Sequence, residues 1–358
     1  MGSGGAQRQV VNIANALSDS HEVTIFLYRL NSSFFMSSLK SNIVVANFKY
    51  SKKIGFNWRV LWELKILMSR VDVMMSFLPA SNIYCALASL LGKKPKHIAC
   101  EMSIVNESES KIRRILANFA NFSSSHVICN SITQAEYIRS LPGMKKKVSA
   151  IWNGCETVSE KRRNSRNQCL SLIIVGRVAY PKNGVRFLEA IRIFYERNGF
   201  APNISWAGRD DSAKKDKLMK LQMIDFLDTF PAIKEKFQFL GEVKNIGSLY
   251  ANTDALILPS LYEGVPNVIC EAMLAECPVI ASKISDNLEI LGENEDRGFL
   301  CEPFSPMSIC KAIERLATTS PEILNNMVKN AKEFARDHFS ILTMKAQYDE
   351  VINNIKKD

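Results

Sequence analysis

The stretch Ala255-Leu-Ile-Leu-Pro-Ser-Leu-Tyr-Glu-Gly-Val-Pro-Asn-Val-Ile-Cys-Glu-Ala-Met273 decides the fold. Its opening residues are uniformly apolar, the pattern of a strand buried on both faces. A short loop, Leu261 to Val265, follows. Pro266 suits the first position of a helix, where its missing N–H costs nothing, and Asn267 to Ala275 reads as that helix. Strand, loop and helix make half of a parallel α/β unit. The N–H groups at the helix start, aided by the helix dipole, attract an anion such as a diphosphate. Glu263 stands in the loop before that start and Glu271 more than a turn beyond it. Carboxylates only accept hydrogen bonds and suit the vicinal hydroxyls of a sugar or ribose, so the two acids can read both ends of a nucleotide sugar. The plain alternative is a solvated loop acid and a helix acid in a salt bridge.

Working outward, the same alternation runs along all 358 residues, a length suited to two domains. Strands are expected at 22–30, 42–50, 71–78, 96–102, 126–130 and 148–152, then at 170–176, 203–208, 237–240, 255–259 and 278–282. The polar, turn-rich segment 153–167 separates the two series. The expected division is therefore two α/β domains of similar size with their boundary in that segment. Open α/β sheets bind ligands at the carboxyl ends of their strands, so two such domains facing across a cleft are expected to hold the site between them.

A second cluster follows the strand Leu172–Val175. Gly176 and Arg177 come first, then Lys182, then a helix from Val185 to Phe194. Arginine offers a planar fork and lysine a mobile point charge, and both neutralise a leaving diphosphate. The alternative is a pair of surface cations. A third cluster, Gly2-Ser-Gly-Gly-Ala-Gln-Arg-Gln-Val10, leads into a helix over Ala6–Leu17. It is phosphate-friendly but a poor dinucleotide fingerprint, lacking the third glycine and a preceding strand.

Composition removes other classes. Nine cysteines without a CxxC pair and four histidines without HxH or HExxH argue against a disulfide framework and a protein-held metal. No apolar run reaches the length of a membrane span. Residues 1–150 hold 19 basic and 8 acidic side chains, +11 against +10 for the whole chain, so an anionic partner is expected on the N-terminal half. Its helix Gly55–Arg70 spaces Trp58 and Trp62 four apart among Arg59, Lys65 and Arg70. That pattern fits a membrane interface, or a core helix packed on the sheet. Further basic runs are Lys93-Lys94-Pro-Lys96, Lys111-Ile-Arg113-Arg114 and Lys145-Lys146-Lys147. Glu101, at a strand end, is placed either to orient an acceptor hydroxyl or to bond within a loop. His21 and His126 are expected to be structural, and His97, among basic residues, is given no role.

On these residues the chain resembles the retaining "group 1", or family four, glycosyltransferases of GT-B fold. The matching features are Gly4-Gly5-Ala6-Gln7-Arg8, Gly176-Arg177 with Lys182-Asn183, and the block Pro259–Met273 followed by Pro278–Ala281. The resemblance covers almost the whole chain and implies an N-terminal acceptor-binding Rossmann-like domain over 1–155, a nucleotide-sugar-binding Rossmann-like domain over 156–340, and a final helix, 341–358, returning to the first. It implies that Arg177 and Lys182 hold the donor diphosphate, that Glu263 touches the transferred sugar and that Glu271 holds the ribose. It also implies that Gly264, Val265, Pro266 and Asn267 bring backbone N–H groups to the donor, and that Gly5 lines its phosphate side. Glu263, Arg177 and Lys182 are then the catalytic candidates. The donor is a substrate, UDP-linked on family grounds, and no metal or cofactor is expected. The expected acceptor is a glycan or a polyprenyl- or lipid-linked sugar in bacterial capsule or lipopolysaccharide synthesis. A cytoplasmic enzyme, peripheral on the anionic inner face of the plasma membrane and binding no nucleic acid, is expected. Family members usually begin with a strand before the glycine loop, so the chain is expected to lack the first strand of its N-terminal domain. The competing readings are a non-catalytic or truncated nucleotide- or carbohydrate-binding homologue, and a glycoside hydrolase using Glu263 and Glu271 as its acid pair.

Overall fold

The computed structural model describes residues 5–27, 35–47, 56–91, 95–102, 111–156, 169–211 and 213–357. Gly2, Gly4, Lys93, Lys94 and most of the 153–167 segment lie outside these residues. The chain divides into two units. One comprises Met1–Gly154 with Phe339–Asp358, and the other Cys155–His338.

The first unit carries two parallel sheets. β1 (Thr24–Leu27) pairs with β2 (Val44–Asn47). β3 (Val73–Phe77), β4 (Lys96–Glu101), β5 (His126–Cys129) and β6 (Val148–Ala150) follow in that spatial order. Among the described residues no strand joins β1 to β3. Alternation along the strands sorts the core onto two faces. Ile98, Cys100 and Ile128 meet Ile13 and Leu17 of the helix Gly5–Leu17 and Met344, Tyr348 and Ile352 of the last helix, Ile341–Lys357. Ala99, Val127 and Cys129 face the other way, onto Ala135 and Ile138. On that second side Met74 packs with Val60, Leu61 and Leu64 of the helix Trp58–Met68 and Cys85 and Ala88 of the helix Pro79–Ser89.

The Trp58 helix packs on the core with one face and leaves the opposite face exposed. Val60, Leu61, Leu64 and Met68 are buried, while Trp58, Trp62 and Ile66 are exposed. The histidines are bonded within the unit, His21 to Asp349 and His126 to Ser149. Glu101 is not in a loop. It is buried as the last residue of β4 and accepts from Asn82 Nδ2 at 3.2 Å.

In the second unit six parallel strands lie in the order β12-β11-β10-β7-β8-β9. They are β7 (Ser171–Val175), β8 (Asn203–Ala207), β9 (Phe237–Gly241), β10 (Ala255–Leu258), β11 (Val279–Ser282) and β12 (Phe299–Cys301). β12 has no counterpart among the expected strands. The first strand of the series sits centrally, so the order reverses between β7 and β10, the place where open α/β sheets bind ligands. Buried Phe187, Ile191 and Phe194 of the helix Gly184–Asn198 pack on Leu172, Ile174 and Trp206.

Candidate active site

The loops after β7 and β10 bring the first two clusters together. Lys182 ends a 3-10 turn, Tyr180–Lys182, and its Nζ forms an ion pair with Glu263 across 81 residues of sequence. Ser260 Oγ donates to the same carboxylate oxygen at 2.7 Å. Both partners of the pair are largely shielded from solvent, 17% exposed at the side chain. The two loops are also joined through backbone, Leu261 N–H to Pro181 C=O at 2.8 Å.

Two glycines permit this crowding. Gly176 sits just past β7 at φ +145°, and a Cβ there would lie 2.9 Å from Lys182 Cε. Only glycine lets the lysine stem fold over the strand end in that backbone conformation. A Cβ at Gly208, just past β8, would overlap the Gly176 carbonyl. That carbonyl accepts from Trp206 Nε1 at 2.9 Å, which fixes the strand end.

Asn183 is the joint of the site. It is buried, takes a left-handed conformation (φ 61°) and leads directly into the helix Gly184–Asn198. Its Nδ2 donates to the carbonyls of Pro259 at 2.9 Å and Pro303 at 2.6 Å. One side chain thus ties the loops after β7, β10 and β12. In the sequence Asn183 stood out only as part of the family pattern. Asparagine is among the few residues that enter the left-handed region readily, and that was the available signal.

Arg177 points elsewhere. Its guanidinium forms an ion pair with Asp211 in the loop after β8 and is more than half exposed. Glu271 lies on the helix Asn267–Leu274, buried, and accepts from Tyr250 Oη at 3.3 Å. Burial first, and the Glu271 charge second, push the Tyr250 phenol well above its ordinary pKa, so it remains a donor. Pro266 is not the first helical residue. It is the N-cap, extended at ψ 110°, so its side chain gives the first turn no capping acceptor. In that turn Ile269 N–H donates to the Pro266 carbonyl at 3.0 Å. Gly264 is partly exposed before that start, Val265 is buried and Asn267 half-buried. Gly5 is exposed at the start of the helix Gly5–Leu17 in the first unit.

A shielded lysine–carboxylate pair thus stands at the topological switch of the parallel sheet, in the two loops that lead into the helices Gly184–Asn198 and Asn267–Leu274. Residues 3–158 match the family described as Glycosyltransferase Family 4, and residues 170–319 the one described as Glycosyl transferases group 1. The chain belongs to this glycosyltransferase family. It is 27% identical to a Campylobacter jejuni N-acetylgalactosaminyltransferase acting on a diphosphoundecaprenol-linked glycan, over 99% of this chain and 97% of that one. It is also 27% identical, over 67% of this chain and 63% of the other, to an Escherichia coli galactosyltransferase, UDP-Gal:alpha-D-GlcNAc-diphosphoundecaprenol alpha-1,3-galactosyltransferase. Among solved structures, HepE of Anabaena in complex with UDP and glucose shares the fold. Its TM-score is 0.84 at 19% identity, over 99% of this chain and 97% of that one.

Proposed function

We propose that this glycosyltransferase moves a sugar, with retention at the anomeric carbon, from a UDP-linked donor to a lipid-linked glycan in bacterial surface-polysaccharide synthesis. The observation that carries the reading is the shielded Lys182–Glu263 pair at the carboxyl ends of β7 and β10. The UDP-bound HepE complex and the diphosphoundecaprenol-linked acceptors of the relatives support the choice of donor and acceptor class.

The chemistry follows from charge. Donor diphosphate takes Lys182 from Glu263, and Arg177 from Asp211. The carboxylate of Glu263, released, accepts from the hydroxyls of the transferred sugar. Glu271, steadied by Tyr250, accepts from the ribose. The start of Asn267–Leu274, with the backbone from Gly264 onward, donates to the phosphates and sugar. As the sugar–oxygen bond to the diphosphate breaks, negative charge grows on the leaving oxygen, where Lys182 and Arg177 stabilise it most. The acceptor hydroxyl adds to the same face of the anomeric carbon and passes its proton to that oxygen. Positioning supplies the remainder of the rate. No metal and no separate cofactor enter this scheme.

The test is calorimetry of UDP binding to wild type, Lys182→Ala and Glu271→Ala, with chelator present. Each variant is expected to bind at least about tenfold more weakly, the scale of a lost charge-assisted hydrogen bond. Wild-type indifference to UDP, GDP and ADP, or variants that bind like wild type, would overturn the donor site. NMR of the product linkage tests retention. Sugar release from a glycan with no nucleotide present would favour a hydrolase.

A further inference from the structure

The helix Lys214–Thr229, between β8 and β9, carries its charges against its own dipole. A helix favours acids in its first turn and bases in its last. Here Lys214, Lys215 and Lys217 stand at the start, Asp225 and Asp228 stand near the end, and the last turn holds no base. The one acid of the first turn, Asp216, is buried and accepts from Tyr180 N–H at 2.7 Å, so it serves the fold. Lys215 Nζ lies 5.7 Å from the Tyr180 ring centroid, and Lys220 pairs with Asp210. Lys214, Lys217 and Asp225 form no ion pair among the described residues.

The outward face of this helix is apolar at its centre. Asp216, Met219, Met223 and Leu227 are buried against the sheet side. The opposite side presents Leu218, Leu221 and Ile224, which are 55%, 58% and 37% exposed. A surface helix normally keeps polar residues there. The exposed Lys214, Lys217, Asp225 and Asp228 flank these three on the same side.

The face is symmetric about Leu221. Leu218 and Ile224 lie three positions to either side, Lys217 and Asp225 four, and Lys214 and Asp228 seven. Along the axis these are steps of about 4.5, 6 and 10.5 Å. A second copy of the helix laid antiparallel, with a two-fold axis through Leu221, brings the same patch to both sides of the contact. Each lysine then stands opposite an aspartate of the other copy, and Leu218 opposite Ile224. The amino end of each helix also meets the carboxyl end of the other, so the lysines approach a negative dipole end. Charges that are unfavourable within one helix are thus favourable between two. Asp228 bonds Lys234 of its own chain at 2.6 Å, but both side chains are more than half exposed, and such a pair is readily shared or exchanged.

We propose that two copies of the chain pair through the outward faces of Lys214–Thr229, antiparallel, with Leu221 on the two-fold axis. A contact made by one helix from each copy falls below the roughly 1,200 Å² of a standard interface, so the dimer is transient and forms in concentrated protein. A polyanion is a poor occupant of this face, because its two lysines are balanced by its two aspartates. The inference does not depend on the donor chemistry, because self-association is measured without a sugar nucleotide and neither Lys182 nor Glu263 lies on this helix.

The experiment is sedimentation equilibrium of the full chain from about 10 to about 500 µM, the range of weak association. Wild type is expected to pass from monomer to dimer across it. Lys217→Glu alone and Asp225→Lys alone each set like charges at both symmetric positions, and each is expected to raise the dissociation constant at least about tenfold. An equimolar mixture of the two variants restores opposite charges at both positions and is expected to associate as wild type does. Unchanged thermal unfolding and UDP binding in the variants show that fold and donor site are intact, so failure of one reading is distinct from failure of the other. Wild type that stays monomeric, single variants that dimerise like wild type, or a mixture that stays monomeric overturns the proposal.

Discussion

Gly176 shows what a missing side chain contributes. Its positive φ and the nearness of Lys182 Cε leave no room for a methyl group. Gly176→Ala is expected to push the lysine from its place beside Glu263 and weaken UDP binding by roughly tenfold, with folding stability lowered by about 1–3 kcal/mol from backbone strain; calorimetry and urea unfolding separate the two effects. Tyr250→Phe leaves the buried Glu271 without its phenol donor and is expected to cost about 1–3 kcal/mol, read from the urea midpoint. A third expectation concerns pH. His97 is buried on β4 with Nε2 2.8 Å from Ser76 Oγ, and Asn82 links that hydroxyl to Glu101. Burial lowers the imidazole from 6.5 to about 4. The folded chain therefore keeps the ring neutral while the unfolded chain protonates it. This contribution is complete above pH 6.5 and is lost as pH falls toward 4, by up to about 3 kcal/mol. Urea unfolding of wild type should weaken across that window, and His97→Gln should flatten the slope; an unchanged slope would refute the assignment.

At the scale of elements, the strands were legible because a strand buried on both faces is a run of apolar residues, as Leu172–Val175 and Ala255–Leu258 are. β12 escaped because three residues, Phe299–Cys301, after a charged loop have no period to read. Pro266 was placed one residue too far into its helix, since proline's fixed φ suits a helix start and an extended N-cap alike. The clusters holding Lys182 and Glu263 could be found in the sequence. Their pairing could not, because it depends on β7 and β10 lying adjacent. The Lys214–Thr229 helix was not singled out, because periodicity reveals an apolar stripe but not which neighbour it meets. The last helix yields a prediction of its own. Met344 is buried with its sulfur 3.1 Å from Gly154 N, whose residue sits so close that a Cβ would lie 3.1 Å from Ile341 Cα. Met344→Ala is expected to cost about 2–5 kcal/mol, measured by thermal or urea unfolding.

For the molecule as a whole, the two units have separate cores. A ligand held by one of them stabilises that unit by mass action, about 2.7 kcal/mol at a hundredfold excess over its Kd. UDP is therefore expected to raise the unfolding transition of Cys155–His338, followed by hydrogen exchange at β7 and β10; equal protection throughout the chain, or none, would contradict this. The chain path has a further consequence. Residues 155–338 are contiguous, so that unit has all its parts once His338 has been synthesised. The first unit, begun earlier, still lacks Met344, Tyr348, Val351, Ile352 and Ile355. Those side chains are synthesised only after the whole of the other unit. The half translated first is thus the last to close its core, and a stop codon between His338 and Met344 would damage the amino-terminal half while sparing the other.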